Sequence, residues 1–151
     1  MSALPEAAPA APCAVEAVRT VACVGAGVIG GGWAASFLAR GYDVVAWDPA
    51  PDAGTRLRHL VDAAWPALTE LGLAEGADPG RLRVETDLAT ALADAQFVQE
   101  SAPEDLDLKR RLLADIDAAA PPGVVVASST SGYGMSEMQV DCSTPGRTVV
   151  G

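Results

Sequence analysis

Residues 24–30 read Val-Gly-Ala-Gly-Val-Ile-Gly, and the reading of this stretch decides the fold. It has the form G-x-G-x-x-G, with Gly25, Gly27 and Gly30 at the fixed places. The pattern is common by itself and gains meaning from its neighbours. Before it, residues 19–24 (RTVACV) form a short β-rich run that reads as a buried strand. After it, residues 28–40 read as a helix with Ile29, Trp33 and Phe37 stacked on one face. Gly41 closes that helix as a residue able to take positive φ. A strand, a glycine turn and a helix in this order place backbone N–H groups around a pyrophosphate. Gly25 would permit the turn, Gly27 would let phosphates approach the backbone, and Gly30 would let the helix pack closely. Val28 and Ile29 complete the set of turn residues expected at the cofactor.

The next strand, residues 43–47 (DVVAW), ends at Asp48, 18 residues beyond Gly30. A carboxylate there can accept hydrogen bonds from the adenosine ribose hydroxyls and would repel a 2′-phosphate, which favours NAD over NADP. Arg56 and Arg58 lie farther on, in the following helix, and read as less well placed to receive such a phosphate.

Farther out, the pattern continues to alternate. Pro51 opens a helix with the stripe Leu57, Leu60, Val61, Ala64, Trp65 and Leu68, which Pro66 is expected to kink or break. Residues 81–85 read as an edge strand, and residues 96–99, 124–127 and 148–150 as three more. Residues 104–119 read as a helix with acids in its first turn and a stripe of Leu108, Leu112, Leu113 and Ile116. Together these predict an α/β chain: a Rossmann-type doubly wound, mostly parallel sheet with helices on both faces, incomplete at its C-terminal end. Residues 1–16, rich in Ala and Pro, are expected to be a flexible leader, and residues 17–151 the domain.

Composition narrows the function. The 151 residues suit one domain, half of them hydrophobic and only 5% aromatic, so the core must rest on Ala, Val and Leu. A net charge of −10 argues against nucleic acid as a partner. It leaves a dinucleotide open, because backbone N–H groups can hold a pyrophosphate without Lys or Arg. Cys13, Cys23 and Cys142 lack metal-ligand spacing, no metal is expected, and Cys23 reads as a small buried hydrophobe. The absence of a disulfide framework suits a reducing compartment. No apolar run long enough to span a membrane and no basic, apolar signal segment is present, so a cytoplasmic location is expected.

Several longer segments are more telling than the glycines: VGAGVIGGGWAASFLARG (24–41), DVVAWDPAP (43–51), AWPAL (64–68), GLAEGA (72–77), FVQESAPEDLDLK (97–109) and ASSTSG (127–132). On these the chain resembles the 3-hydroxyacyl-CoA dehydrogenase superfamily, and within it the branch that acts on carnitine, from about Arg19 to Gly151. The resemblance implies NAD held by Gly25, Gly27, Gly30 and Asp48. It places Glu104 and Lys109 beside the nicotinamide-side ribose, where the residues alone would read as a helix-start acid and a solvated lysine. It makes Ser131 the serine that hydrogen-bonds the substrate's 3-hydroxyl, at a strand's carboxyl end, where open α/β sheets place ligands. Four successive hydroxyl residues can also simply satisfy loop backbone groups.

In the superfamily a histidine directly follows the strand that here ends at Gly151. It takes the hydroxyl proton while hydride leaves the same carbon, and a glutamate farther on supports it. A helical C-terminal domain supplies the rest of the pocket and the homodimer contacts. None of these falls within the 151 residues. The chain alone is therefore expected to hold NAD without turnover, because a general base contributes about 10²–10⁴-fold. His59, in the stretch RLRHL, reads as a solvated helix residue remote from the expected active-site edge, and residues 132–135 (GYGM) depart from the Leu/Pro-rich run of the family. The implied substrate is a carnitine-like 3-hydroxy acid. A 3-hydroxyacyl-CoA dehydrogenase and a non-catalytic NAD-binding module are the alternatives.

Overall fold

The structure, a computed structural model, describes residue 11 and residues 13–151. The leader expected over residues 1–16 falls largely outside the described residues. Six strands form one sheet in the order β3-β2-β1-β4-β5-β6. They are β1 (Thr20–Val24), β2 (Asp43–Trp47), β3 (Leu82–Glu85), β4 (Phe97–Glu100), β5 (Val125–Ser128) and β6 (Thr148–Val150). Every neighbouring pair is parallel. The strand order reverses between β1 and β4, and ligands of such sheets bind outside the carboxyl ends of the strands at that reversal.

Helices cover both faces. On one side α1 (Val28–Ala39) and α2 (Ala53–Leu71) close a core with Val21, Cys23, Val44, Ala46 and Leu82. On the other, α3 (Leu88–Leu92), α4 (Leu106–Ala119) and the short α5 (Met135–Met138) cover Ala22, Val24, Val98 and Val126. Alternate residues of β1 thus feed opposite cores, as a pleated central strand requires. Cys23 lies within this sandwich at 1% exposure, and burial pushes its thiol up to about 12. Arg147 enters β6 with its Nε 2.8 Å from Asp117 Oδ1, fastening the last strand to α4.

Two expectations fail here. The packed face of α1 is Gly31, Ala34, Ala35 and Leu38, whereas Ile29 is 59% and Trp33 37% exposed. Small residues win this face because α1 must sit close to both sheet and α2: a Cβ on Gly31 would lie 2.7 Å from Leu60 Cδ1. Pro66 does not break α2, which runs unbroken through it. Both Pro66 and Asp62, whose carbonyl loses its partner there, are exposed, so water can satisfy the freed acceptor. Leu57, Val61, Ala64, Trp65 and Leu68 of the α2 stripe do pack inward, and Gly41 takes the positive φ of 84° that ends α1. No helix among the described residues is long and apolar enough to cross a membrane.

Candidate functional site

The carboxyl end of β1 turns through Gly25 at φ 99°, where its N–H donates to the Trp47 carbonyl at 2.8 Å. At two of its glycines the turn has no room for a side chain. A Cβ on Gly25 would stand 2.8 Å from the Ser101 backbone, and one on Gly30 would stand 1.9 Å from the Gly25 carbonyl oxygen. Gly27 differs: nothing lies within 4 Å of where its Cβ would be. Its surface is open, as an approaching phosphate needs. The first helical bond runs from Gly31 N to Gly27 O, so the N–H groups of Val28, Ile29 and Gly30 have no intrahelical acceptor. No side chain caps this end and no acid sits in its first turn, which leaves its positive end free for an anion. Val28 (77%) and Ile29 stand exposed at the same turn. The set fits a dinucleotide pyrophosphate.

Asp48 is brought to this turn. Its Oδ2 accepts from Ala26 N and its Oδ1 from Ala50 N, both at 2.9 Å. The carboxylate therefore ties the glycine turn to the loop after β2, and each oxygen keeps a further lone pair. A cavity of about 400 Å³ opens beside it, lined by Ala26, Gly27, Val28, Arg56, His59 and Leu60. Arg56, read from the sequence as less well placed for a 2′-phosphate, and His59, read as remote from the active-site edge, thus line a cavity at the glycine turn. The close α1–α2 approach at Gly31 and Leu60 carries the adjacent turn of α2 to the glycine loop. Arg56, His59 and Leu60, spaced i, i+3, i+4, share one face. That spacing was visible in the sequence, but the helix contact that orients it was not.

Glu104 and Ser131 are also brought together. Glu104 accepts from the Thr130 hydroxyl and from Ser131 N, so it organises the loop after β5. Thr130 Oγ1 in turn accepts from the N–H groups of Gly132 and Tyr133. Ser131 itself is exposed at the carboxyl edge of the sheet. The Thr130 hydrogen bond, with help from Ser131 N–H and the charge of Lys109, holds the Glu104 carboxyl below the usual glutamate range against some desolvation.

That direction has a consequence. A carboxyl depressed in the folded state stabilises above its unfolded pKa, and the stabilisation is lost as pH falls through the folded value. The Ser131 amide resonance, followed from about pH 6 to about pH 3, is expected to hold its native position at pH values where a free glutamate (pKa about 4.3) is already protonating. Thr130→Val should move the midpoint upward; an unmoved midpoint would refute the Thr130 contribution.

Lys109 does not occupy the solvated position its residue type suggested. It is 1% exposed, with Nζ 2.9 Å from Glu100 Oε1, 3.2 Å from Oε2 and 3.1 Å from the Ala102 carbonyl. All three of its N–H donors are engaged inside the protein. Its ammonium bonds only to Glu100 and the Ala102 backbone among the described residues. Glu100, fully buried at the end of β4, also accepts from Ala102 N and from the Ser128 hydroxyl. Glu100 and Ser128 were missed in the sequence; the one available signal was a carboxylate at the carboxyl end of a central sheet strand.

Residues 20–151 match a family model described as the NAD-binding domain of 3-hydroxyacyl-CoA dehydrogenase. The alignment with the L-carnitine dehydrogenase of Streptomyces griseus covers the whole chain at 69% identity and 46% of that protein. With the L-carnitine dehydrogenase of Nocardiopsis dassonvillei the identity is 76% over 90% of this chain and 41% of that protein. Among solved structures, 3-hydroxybutyryl-CoA dehydrogenase from Escherichia coli K12 is similar at a TM-score of 0.76 and 30% identity, over 87% of this chain and 28% of that one. The chain spans less than half the length of the curated relatives it matches.

Proposed function

Because the chain belongs to the 3-hydroxyacyl-CoA dehydrogenase family, as the NAD-binding domain, we propose that it is the cofactor-holding part of an enzyme that oxidises L-carnitine at its 3-hydroxyl. The observation that carries the substrate is the 69% and 76% identity to two L-carnitine dehydrogenases. The whole protein's homodimer and cytoplasmic location belong to the same proposal; unpaired Cys13, Cys23 and Cys142 fit a reducing compartment.

Each residue then has a part. Val28, Ile29 and Gly30 offer N–H groups to the pyrophosphate, over the open face of Gly27. Asp48 accepts from the adenosine ribose with its spare lone pairs while anchoring Ala26. Ser131 donates to or accepts from the substrate hydroxyl, and Glu104 fixes the backbone that carries it. Lys109 acts from beneath, setting Glu100 and the Ala102 carbonyl under the nicotinamide side. When bound, the nicotinamide ring supplies the two-electron oxidant.

A titration of the chain with NADH and, in parallel, NADPH tests the cofactor half, read by tryptophan fluorescence. Saturable NADH binding with NADPH at least about tenfold weaker is expected, since one repelled phosphate readily costs the roughly 1.4 kcal/mol that a decade represents. Asp48→Asn should narrow that gap. Carnitine-dependent formation of NADH by the whole protein, with 3-hydroxybutyryl-CoA as the comparison substrate, tests the other half. Faster turnover of the thioester would overturn the carnitine reading and leave the NAD domain standing.

A further inference from the structure

A hydroxyl group has one hydrogen and two lone pairs, and at Ser129 all three are accounted for. Trp33 Nε1, which can only donate, lies 3.0 Å from Ser129 Oγ. Gln99 Nε2 donates to the same oxygen at 2.7 Å. Both lone pairs are then used, and the Ser129 hydrogen is left for its remaining neighbour, Ser101 Oγ at 3.1 Å. Ser101 accepts that bond, which leaves its own hydrogen available to a further acceptor. The orientation is well anchored. Gln99 is 2% exposed within β4, and the Trp33 ring stacks on Phe37 at a centroid distance of 5.5 Å.

Ser101 is the first residue after β4, and its N–H donates to the Val24 carbonyl at 2.8 Å. Its backbone crowds Gly25, and its Cβ lies 3.7 Å from where a Gly30 Cβ would be. A hydroxyl donor therefore stands beside the glycine turn, half-exposed, at the point where the strand order reverses.

We propose that Ser101 is a cofactor-binding residue: its hydroxyl, oriented through Ser129 by Trp33 and Gln99, donates a hydrogen bond to an oxygen of the bound dinucleotide at the glycine turn. The inference rests on the NAD reading above and adds a contact outside the G-x-G-x-x-G motif. Pyrophosphate oxygens and the nicotinamide-side ribose oxygens share the acceptor chemistry required. Ser129 is a positioning residue, acting only through Ser101.

The test is titration of the full chain and its variants with NADH and with ADP, which keeps both phosphates and lacks the nicotinamide-side ribose. Ser101→Ala should raise the NADH Kd about tenfold, the size of one lost hydrogen bond to a charged group. Its melting temperature and the Trp33 indole N–H resonance without cofactor should stay unchanged, because Ser129 still accepts from Trp33. Ser101→Thr, which keeps the hydroxyl, should restore most of the affinity. Ser129→Ala should shift the Trp33 indole resonance and weaken NADH about threefold, since Ser101 can then rotate. A matching loss with ADP assigns the acceptor to a phosphate, and a loss confined to NADH assigns it to the ribose. Wild-type affinity in Ser101→Ala would overturn the inference while leaving the NAD reading intact. Absence of NADH binding by the wild-type chain would overturn that reading itself, and the inference with it.

Discussion

Replacing Lys109 with methionine is expected to destabilise the domain by about 3–5 kcal/mol, because it strands the Glu100 carboxylate in the core without its cation. Both side chains are essentially sealed from water, at 1% and 0% exposure. An ion pair of this kind gains little over an apolar pair, since desolvation offsets the Coulomb attraction, but breaking it from one side is costly. The loss would be a large part of the roughly 5–15 kcal/mol that holds a typical domain folded. Urea unfolding followed by circular dichroism measures it. The double variant Lys109→Met with Glu100→Gln should recover much of the loss, because the amide can still serve Ala102 N and Ser128. A double variant no more stable than Lys109→Met alone would show that the lysine stabilises by something other than pairing Glu100.

Gly27→Ala and Gly30→Ala are expected to part company. At Gly27 the new methyl meets no protein atom within 4 Å, so the fold should keep its melting temperature. That methyl occupies the face a pyrophosphate must approach, and charge-assisted bonds worth about 1.5–3 kcal/mol each would be lengthened or lost. NADH affinity should fall about 100-fold or more. At Gly30 the methyl would lie 1.9 Å from the Gly25 carbonyl oxygen, a distance no packing adjustment absorbs. The turn itself must move, and stability and binding should fall together. Paired thermal melts and NADH titrations separate the two; a Gly27→Ala chain that binds normally would place the phosphates elsewhere.

The sequence carried the sheet and the turn because both are written in local patterns. β-Rich runs, a glycine motif at a strand–helix junction and an acid at the end of the second strand predict one another's positions. The packing face of α1 was not legible in the same way. That helix is apolar on all sides, so periodicity selects the bulky residues, while close approach to Leu60 and the sheet selects Gly31, Ala34 and Ala35. The continuity of α2 through Pro66 depended on the exposure of its outer face, which composition does not record.

At the site, Glu104 and Ser131 were visible from family resemblance, and the structure joins them directly through the Ser131 N–H, with the Thr130 hydroxyl donating to the same carboxylate. The Glu100–Lys109 pair, the Ser129 cluster and the approach of Arg56 and His59 to the glycine turn all join distant segments. Contacts of that kind are set by tertiary packing, and a single sequence gives no spacing rule for them.

Asp48 links cofactor choice to foldedness. The usual route from one dinucleotide to its phosphorylated counterpart is to discard the acid that faces the ribose. Here that acid also holds the N–H of Ala26, a residue 1% exposed, through Oδ2. Discarding it orphans a buried donor at a cost of about 1–3 kcal/mol. A change of coenzyme is therefore epistatic with the stability of the turn, and a lineage or a designer making it must supply a new acceptor for Ala26 in the same step or start from a domain with stability to spare.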